Sequence, residues 1–282
     1  MRLFLGCLCS LAVLLGASTQ GRADLVTVSS DTEQFGTLDT VTGIFTATGT
    51  TSPSFFDEIT RVGGSTIFGI DSGTNLRTIQ PNGSSTFVGT SGNSILAIAQ
   101  RQADAQLFGV SFSGSASLFT VNSGTGAAAL VGPLGIGTTW YATVFDNLGD
   151  LFLVNAPGGR GTNSNLYSIN TVTGAATLIG PVGTGGNTMN VDSLDFQNGV
   201  LYGFTDSTDA TVGLRQHIIT INTVTGVGTD TGVSYATNGL TNIFGSVPAA
   251  VSPVPEPPSL LLCGLAAGGA LAYAWRRRQA VA

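Results

Sequence analysis

Carboxylates are the residues in this chain whose spacing points to chemistry. Asp192 and Asp195 lie at the run Ser193-Leu194-Asp195-Phe196, which reads as a β-strand. Asp146 and Asp150 follow a comparable run about one repeat earlier, and Asp57-Glu58 holds the same place in an earlier copy. Oxygen ligands that converge from loops bind Ca²⁺. Two carboxyls at a fixed separation serve instead as the acid and base of glycoside cleavage. The plain alternative is a turn, and Asp146-Asn147-Leu148-Gly149-Asp150 has the composition of one. Asp146, Asp150, Asp192 and Asp195 are therefore the candidate Ca²⁺ set. No catalytic residue is assigned, and no other cofactor is expected.

Other reactive types are scarce. The single histidine, His217, borders the strand-like run Ile218 to Ile221 and reads as structural. Of the three cysteines, Cys7 and Cys9 lie near the N-terminus and Cys263 near the C-terminus, so residues 24–248 hold no thiol for a disulfide or a metal. Trp140-Tyr141, after a Gly/Thr-rich stretch, is the aromatic pair that can stack on a sugar ring; packing at a strand edge is its alternative. There is no lysine. From Asp24 to Pro248 there are 15 Asp and Glu against 5 Arg, a charge of about −10. Such a body repels nucleic acid and anionic lipid.

The elements that position these residues are announced by repetition. Asn170-Thr171-Val172-Thr173-Gly174 recurs as Asn222-Thr223-Val224-Thr225-Gly226 and as Asp39-Thr40-Val41-Thr42-Gly43. Asn122-Ser123-Gly124-Thr125-Gly126 is looser, and Gln80-Pro81-Asn82-Gly83 fills the same place in another copy. The closing glycines are 40, 43, 48 and 52 residues apart. Each turn lies between two β-like runs, such as Leu166 to Ile169 and Ala176 to Gly180, and two more runs precede each hairpin. Four strands per 40–50 residues is the period of a propeller blade. The expected fold is all-β, a propeller of about five four-stranded blades. The first copy is short at its front, and a spare strand around Thr241 to Gly245 completes it, closing the ring from both termini. Six blades, a solenoid or a sandwich are the alternatives. The repeats resemble those of exported bacterial propeller-like proteins with an "LY-x-I-N-x-x-T-G" hairpin, of which Leu166 to Gly174 is the clearest instance.

Both ends read as address segments. Arg2 precedes an apolar run from Leu3 to Ala17, and Gly21-Arg22-Ala23 offers small residues for cleavage before Asp24. That is the pattern of a secretory signal peptide over residues 1–23, helical in its apolar part. Residues 249–258 form a Pro-rich linker containing Val254-Pro255-Glu256-Pro257. Residues 259–282 hold a 17-residue apolar run, Ser259 to Trp275, then Arg276-Arg277-Arg278. As a helix the run is about 26 Å long, the short end of a membrane span. The arginines hold its distal end on the cytoplasmic side.

These last residues resemble the PEP-CTERM sorting signal of Gram-negative bacteria: a Pro-Glu-Pro triplet, a Leu/Ala/Gly-rich span and a terminal arginine cluster, in that order. The resemblance covers about a tenth of the chain. It implies an exosortase as partner, cleavage near the triplet after transient membrane retention, and delivery to the cell surface or extracellular matrix. The other expected partners are the secretion machinery with its signal peptidase and, for the body, extracellular polysaccharide; nucleic acid is not one. The body reads as a non-enzymatic binding or structural module. A glycan-acting enzyme, an ice-binding protein and a permanently anchored surface protein are the competing readings.

Overall fold

The computed structural model describes residues 25–249, apart from the stretches 53–55, 63–65, 72–73, 112–114, 138–140 and 237–238. Ala23, Asp24, the Val254-Pro255-Glu256-Pro257 motif, the C-terminal apolar run with its arginines, and Trp140 lie outside the described residues. The compact unit that holds the strands ends at Pro248.

Short runs of β-branched and aromatic residues, punctuated by Gly and Asn turns, fold into five four-stranded antiparallel blades. The chain begins with β1 (Leu25–Ser30), β2 (Gln34–Asp39) and β3 (Phe45–Thr50). Blade 2 is β4 (Phe56–Val62), β5 (Thr66–Asp71), β6 (Asn75–Ile79) and β7 (Ser85–Thr90). Blade 3 is β8 (Ile95–Gln100), β9 (Leu107–Ser111), β10 (Ser117–Val121) and β11 (Ala128–Pro133). Blade 4 is β12 (Tyr141–Phe145), β13 (Leu151–Asn155), β14 (Asn165–Ile169) and β15 (Ala176–Pro181). Blade 5 is β16 (Val191–Gln197), β17 (Val200–Thr205), β18 (His217–Ile221) and β19 (Gly228–Ser234). The last strand, β20 (Ile243–Pro248), returns to pair with β1, from Val26↔Pro248 to Ser30↔Ile243, and gives blade 1 the order β20-β1-β2-β3. The expected closure is thus present, with its strand a few residues further on than the sequence placed it. The ring has five blades, not six.

The inner strands β20, β4, β8, β12 and β16 neighbour one another in a ring around the axis. Each blade repeats the same up-and-down order, so these five run in one direction along the channel. The second strands β9 and β13 are buried at every position, because both their faces meet a neighbouring blade. The outer strands β11 and β15 are largely exposed. The core is accordingly five wedges, one between each pair of blades. Phe35, Phe56, Ile59 and Val247 fill the wedge between blades 1 and 2. Phe108, Phe145, Leu153 and Tyr167 belong to the wedge between blades 3 and 4.

The repeated turns hold the blades to each other. Asn170 Oδ1 accepts from the Val172 and Thr173 N–H groups at 2.9 and 3.0 Å, and Asp39, Asn122 and Asn222 do the same. Gly174, at φ +82°, then closes the turn. A β-carbon there would fall on the carbonyl oxygen of Gly132 in β11, and one at Gly132 would fall on the Thr173 carbonyl. The pairs Gly126/Gly89 and Gly226/Gly180 repeat this contact between turn and preceding outer strand. Blade 2 differs. Its turn is a residue shorter, closed by a Gly83 N–H bond to the Gln80 carbonyl at 2.9 Å.

Candidate functional site

The inner strands leave five sheet edges facing the axis, each with backbone groups that no further strand pairs. Side chains of other blades take that place. Thr60 Oγ1 of blade 2 accepts from the Gln100 N–H of blade 3 at 3.0 Å. Ser246 of blade 1 donates to the Leu194 carbonyl of blade 5 at 3.1 Å and lies 2.8 Å from Ser193 Oγ. Arg61 Nε donates to the Pro248 carbonyl at 3.0 Å. Glu58 reaches furthest: its Oε2 accepts from the Thr143 N–H of blade 4 at 3.1 Å.

A bulge between Phe56 and Glu58 sets that reach, by adding Asp57 at the start of β4. Comparable extra residues are Leu96 in β8, Asp192 in β16 and Phe244 in β20. Glu58 is wholly buried, and its Oε1 has no hydrogen bond. Burial pushes its pKa well above the carboxylate range; the Thr143 bond opposes this, and the charges of Asp57 and Asp195 add to it. Asp195 is 1 % exposed, and its Oδ2 has no hydrogen bond. Burial raises its pKa to about 7, against the lowering effects of the Phe196 N–H and Arg61. Both acids sit inside the channel and favour their protonated forms.

Asp192 has different surroundings. It stands at the entry of β16, at the channel mouth where the second strands end. Asp206 follows β17 at the same mouth. Asp192 is 8 % exposed and Asp206 fully buried. Arg160, from the loop between β13 and β14, places Nη2 3.5 Å from Asp192 Oδ2 and Nε 3.6 Å from Asp206 Oδ2. Its guanidinium also lies over the Phe244 ring, 5.0 Å from the centroid. One side chain of blade 4 thereby spans blade 5 and reaches blade 1. Burial, the neighbouring Asp206 and the more distant Asp31 raise the Asp192 pKa well above its usual value, and Arg160 opposes them. Asp31 follows β1; it accepts from Asn242 Nδ2 at 2.9 Å and from the Asn242 N–H at 3.2 Å.

The four acids read together from the sequence are therefore divided. Asp195 is inside the channel and Asp192 at one mouth. Asp146 and Asp150 close the turn after β12, at the opposite end of the inner strand. Asp146 Oδ1 accepts from the Leu148 and Asp150 N–H groups at 2.9 and 2.8 Å, which is the turn arrangement. Among the described residues, no group of three or more His, Cys, Asp or Glu side chains is placed to hold a metal ion. Of the aromatic pair, only the backbone of Tyr141, the first residue of β12, is described. His217 Nδ1 lies 3.0 Å from Asp230 Oδ1 across the outer hairpin of blade 5. Among the described residues, no helix is long and apolar enough to cross a membrane.

Sequence reasoning missed Asp206, Arg160 and Asp31 at the mouth. The signal was available for the two acids. Aligning the copies on their second strands sets Ser30-Asp31 of the first beside Thr205-Asp206 of the fifth. Arg160 gave no such signal, because its glycine-rich loop has no counterpart in the other copies.

A second feature is a cleft of about 540 Å³ on blade 3 and the connection leading into it. Asn93, Ser94, Ser111, Ser115 and Ser117 give it an uncharged polar lining, and Phe119 and Leu130 add apolar surface.

No protein-family model matches this chain, and no curated protein matches it. Among solved structures it is similar to a Bacteroides caccae protein of unknown function, at 10 % identity and TM-score 0.43, over 73 % of this chain and 70 % of that one. It is similar to a Xanthomonas campestris gluconolactonase at 14 % identity and TM-score 0.43, over 62 % of each chain. It is also similar to a Bacteroides ovatus auxiliary nutrient binding protein at 9 % identity and TM-score 0.49, over 74 % of this chain and 54 % of that one. The chain thus spans between about half and 70 % of the length of these proteins. At these identities and scores no activity is transferred from them.

Proposed function

We propose that this chain is an exported propeller sorted through its C-terminus, and that its body is a non-enzymatic binding or structural module of the cell surface or extracellular matrix. The observation that carries the sorting half is the order of the tail: Pro255-Glu256-Pro257, then Ser259 to Trp275, then Arg276-Arg277-Arg278. After removal of residues 1–23 between Ala23 and Asp24 by signal peptidase, the apolar run retains the protein at the inner membrane with its body in the periplasm. An exosortase then cleaves near the triplet. The fold is compatible with that cut, because β20 ends at Pro248, seven residues before Pro255.

For the body, the supporting observation is how its acids are used. Glu58 is bound to a strand edge, and Asp195 is enclosed beside it. The cleft on blade 3 is polar without charge. Hydroxyl and amide groups beside apolar side chains suit a neutral polyol such as a polysaccharide chain, bound and not cleaved.

Expression of the full chain in a Gram-negative host, with and without an exosortase, tests the sorting half. Intact mass spectrometry is expected to show loss of the segment beyond the Pro-Glu-Pro region only when the exosortase is present. Retention of Ser259 to Ala282 in both hosts would make the tail a permanent anchor and overturn the proposal.

A further inference from the structure

We propose that the channel mouth bounded by blades 4, 5 and 1 is a binding site for a hard divalent cation, held by Asp192 and Asp206 and gated by Arg160. The argument begins with two distances. Arg160 Nη2 and Nε belong to one edge of a single guanidinium, so the two carboxylate oxygens they face lie side by side. Both separations, 3.5 and 3.6 Å, are well beyond the 2.7–2.9 Å typical of a charge-assisted hydrogen bond. Neither Asp192 Oδ2 nor Asp206 Oδ2 has a hydrogen bond from any other group. Asp206 is fully buried, and its other oxygen is fixed by the Thr208 N–H at 2.5 Å and Ser207 Oγ at 3.4 Å. The free oxygen is thus oriented, not merely enclosed.

Charge supplies the second argument. Asp31 lies near enough to act on Asp192, so three carboxylates share the mouth with the Arg160 guanidinium. Buried carboxylates are costly unless paired closely or bound to metal. Ca²⁺ and Mg²⁺ both coordinate carboxylate oxygens, and both keep water in the remaining positions where a site opens to solvent. Two carboxylates are few ligands, so affinity resembles that of weak extracellular modules, on the order of 10⁻⁴–10⁻³ M. The Asp146/Asp150 turn takes no part.

Arg160 is the gate. A guanidinium and a divalent cation repel at this range, so the metal displaces it. Its loop, Pro157-Gly158-Gly159-Arg160-Gly161, has positive φ at Gly159 and Gly161, and a β-carbon at Gly159, next to Arg160, would meet nothing within 4 Å. The Phe244 ring of blade 1 already lies under the guanidinium, 5.0 Å from centroid to guanidinium carbon, while Arg160 faces the two acids.

The test is calorimetric titration of the full-length chain with CaCl2 and with MgCl2, alongside thermal melts in each salt and in EDTA. One cation per chain is expected, with a melting temperature raised by at least one of the two salts. Arg160→Gln is expected to tighten binding about tenfold, because it removes a competing charge. Asp206→Asn is expected to weaken it by more than tenfold. Should Asp206→Asn fail to fold, Arg160→Gln still decides the matter. A folded Arg160→Gln protein that neither releases heat nor shifts its melting temperature with either cation overturns the proposal. So does binding that Asp192→Asn and Asp206→Asn leave unchanged. A destabilised Arg160→Gln that no cation rescues would make Arg160 itself the permanent counter-charge, which also overturns it.

Discussion

Replacing Asp195 with Asn should stabilise the propeller, and the gain should depend on pH. Asp195 is enclosed in the channel, and burial raises its pKa from 3.8 to about 7. An acid whose folded pKa is raised binds its proton more tightly folded than unfolded. Its contribution is therefore fully present below about pH 4 and is lost as pH rises to 7. The displacement of about three units corresponds to about 4 kcal/mol at 1.36 kcal/mol per unit, an upper bound for the cost of ionising the group in place. An amide never meets that cost, and its carbonyl still accepts from the Phe196 N–H. The expected gain at pH 8 is about 2–4 kcal/mol, against little change at pH 4. For a domain of this size that is a rise in melting temperature of about 5–12 °C. The assay is urea unfolding of both proteins at half-unit steps from pH 4 to pH 8. Stability curves that stay parallel across that range would refute the reasoning, and so would a variant whose advantage over the parent protein shrinks as pH rises.

Two further tests address the ring. Gly174→Ala must adopt φ +82° and push its β-carbon onto the Gly132 backbone, whereas Gly185→Ala at φ +67° meets nothing within 4 Å. The first should cost more than about 3 kcal/mol and the second about 1 kcal/mol by urea unfolding; equal costs would show that the turn does not lock the blades. A chain stopped after Asn242 lacks β20 and should lose its cooperative thermal transition, while one stopped after Pro248 should keep it. Similar melts for the two would mean that β20 is not needed to close the ring.

The blade architecture was legible because its determinants are local and repeated. An Asn or Asp that bonds its own turn recurs at four of the five outer hairpins and a glycine closes all five, and residues such as Leu166 to Ile169 give the strands between. Even the closing strand was legible, since a first copy short at its front requires one. The site was less so. Which face a carboxylate meets depends on bulges at the entries of β4, β16 and β20, and a single extra residue such as Asp57 or Phe244 leaves no mark in composition. Spacing placed Asp192 and Asp195 together as ligands, yet one lies at the mouth and the other inside. The pairing of Asp192 with Asp206 and Arg160 joins loops of two blades, and no local pattern encodes it. The purpose of the second repeated glycine, at 89, 132 and 180, was also hidden. It serves the next blade, not its own.

Closure by β20 also makes the fold a reading of completeness. Blade 1 takes three strands from the first fifty residues and its innermost one from Ile243–Pro248. A growing chain can form blades 2 to 5 in succession as each emerges, since their pairings are between neighbours in sequence. It cannot finish the first blade, or seat the Pro248 carbonyl against Arg61, until almost the last of the body has been made. Contacts spanning 187 and 211 residues, this one and the Asn242–Asp31 bond, are slow to form. Until then β1 presents an unpaired edge and the wedge holding Val247 is unfilled. A chain that ends early keeps that edge exposed, where proteases and other strands can reach it. The final six-residue strand therefore separates finished molecules from fragments.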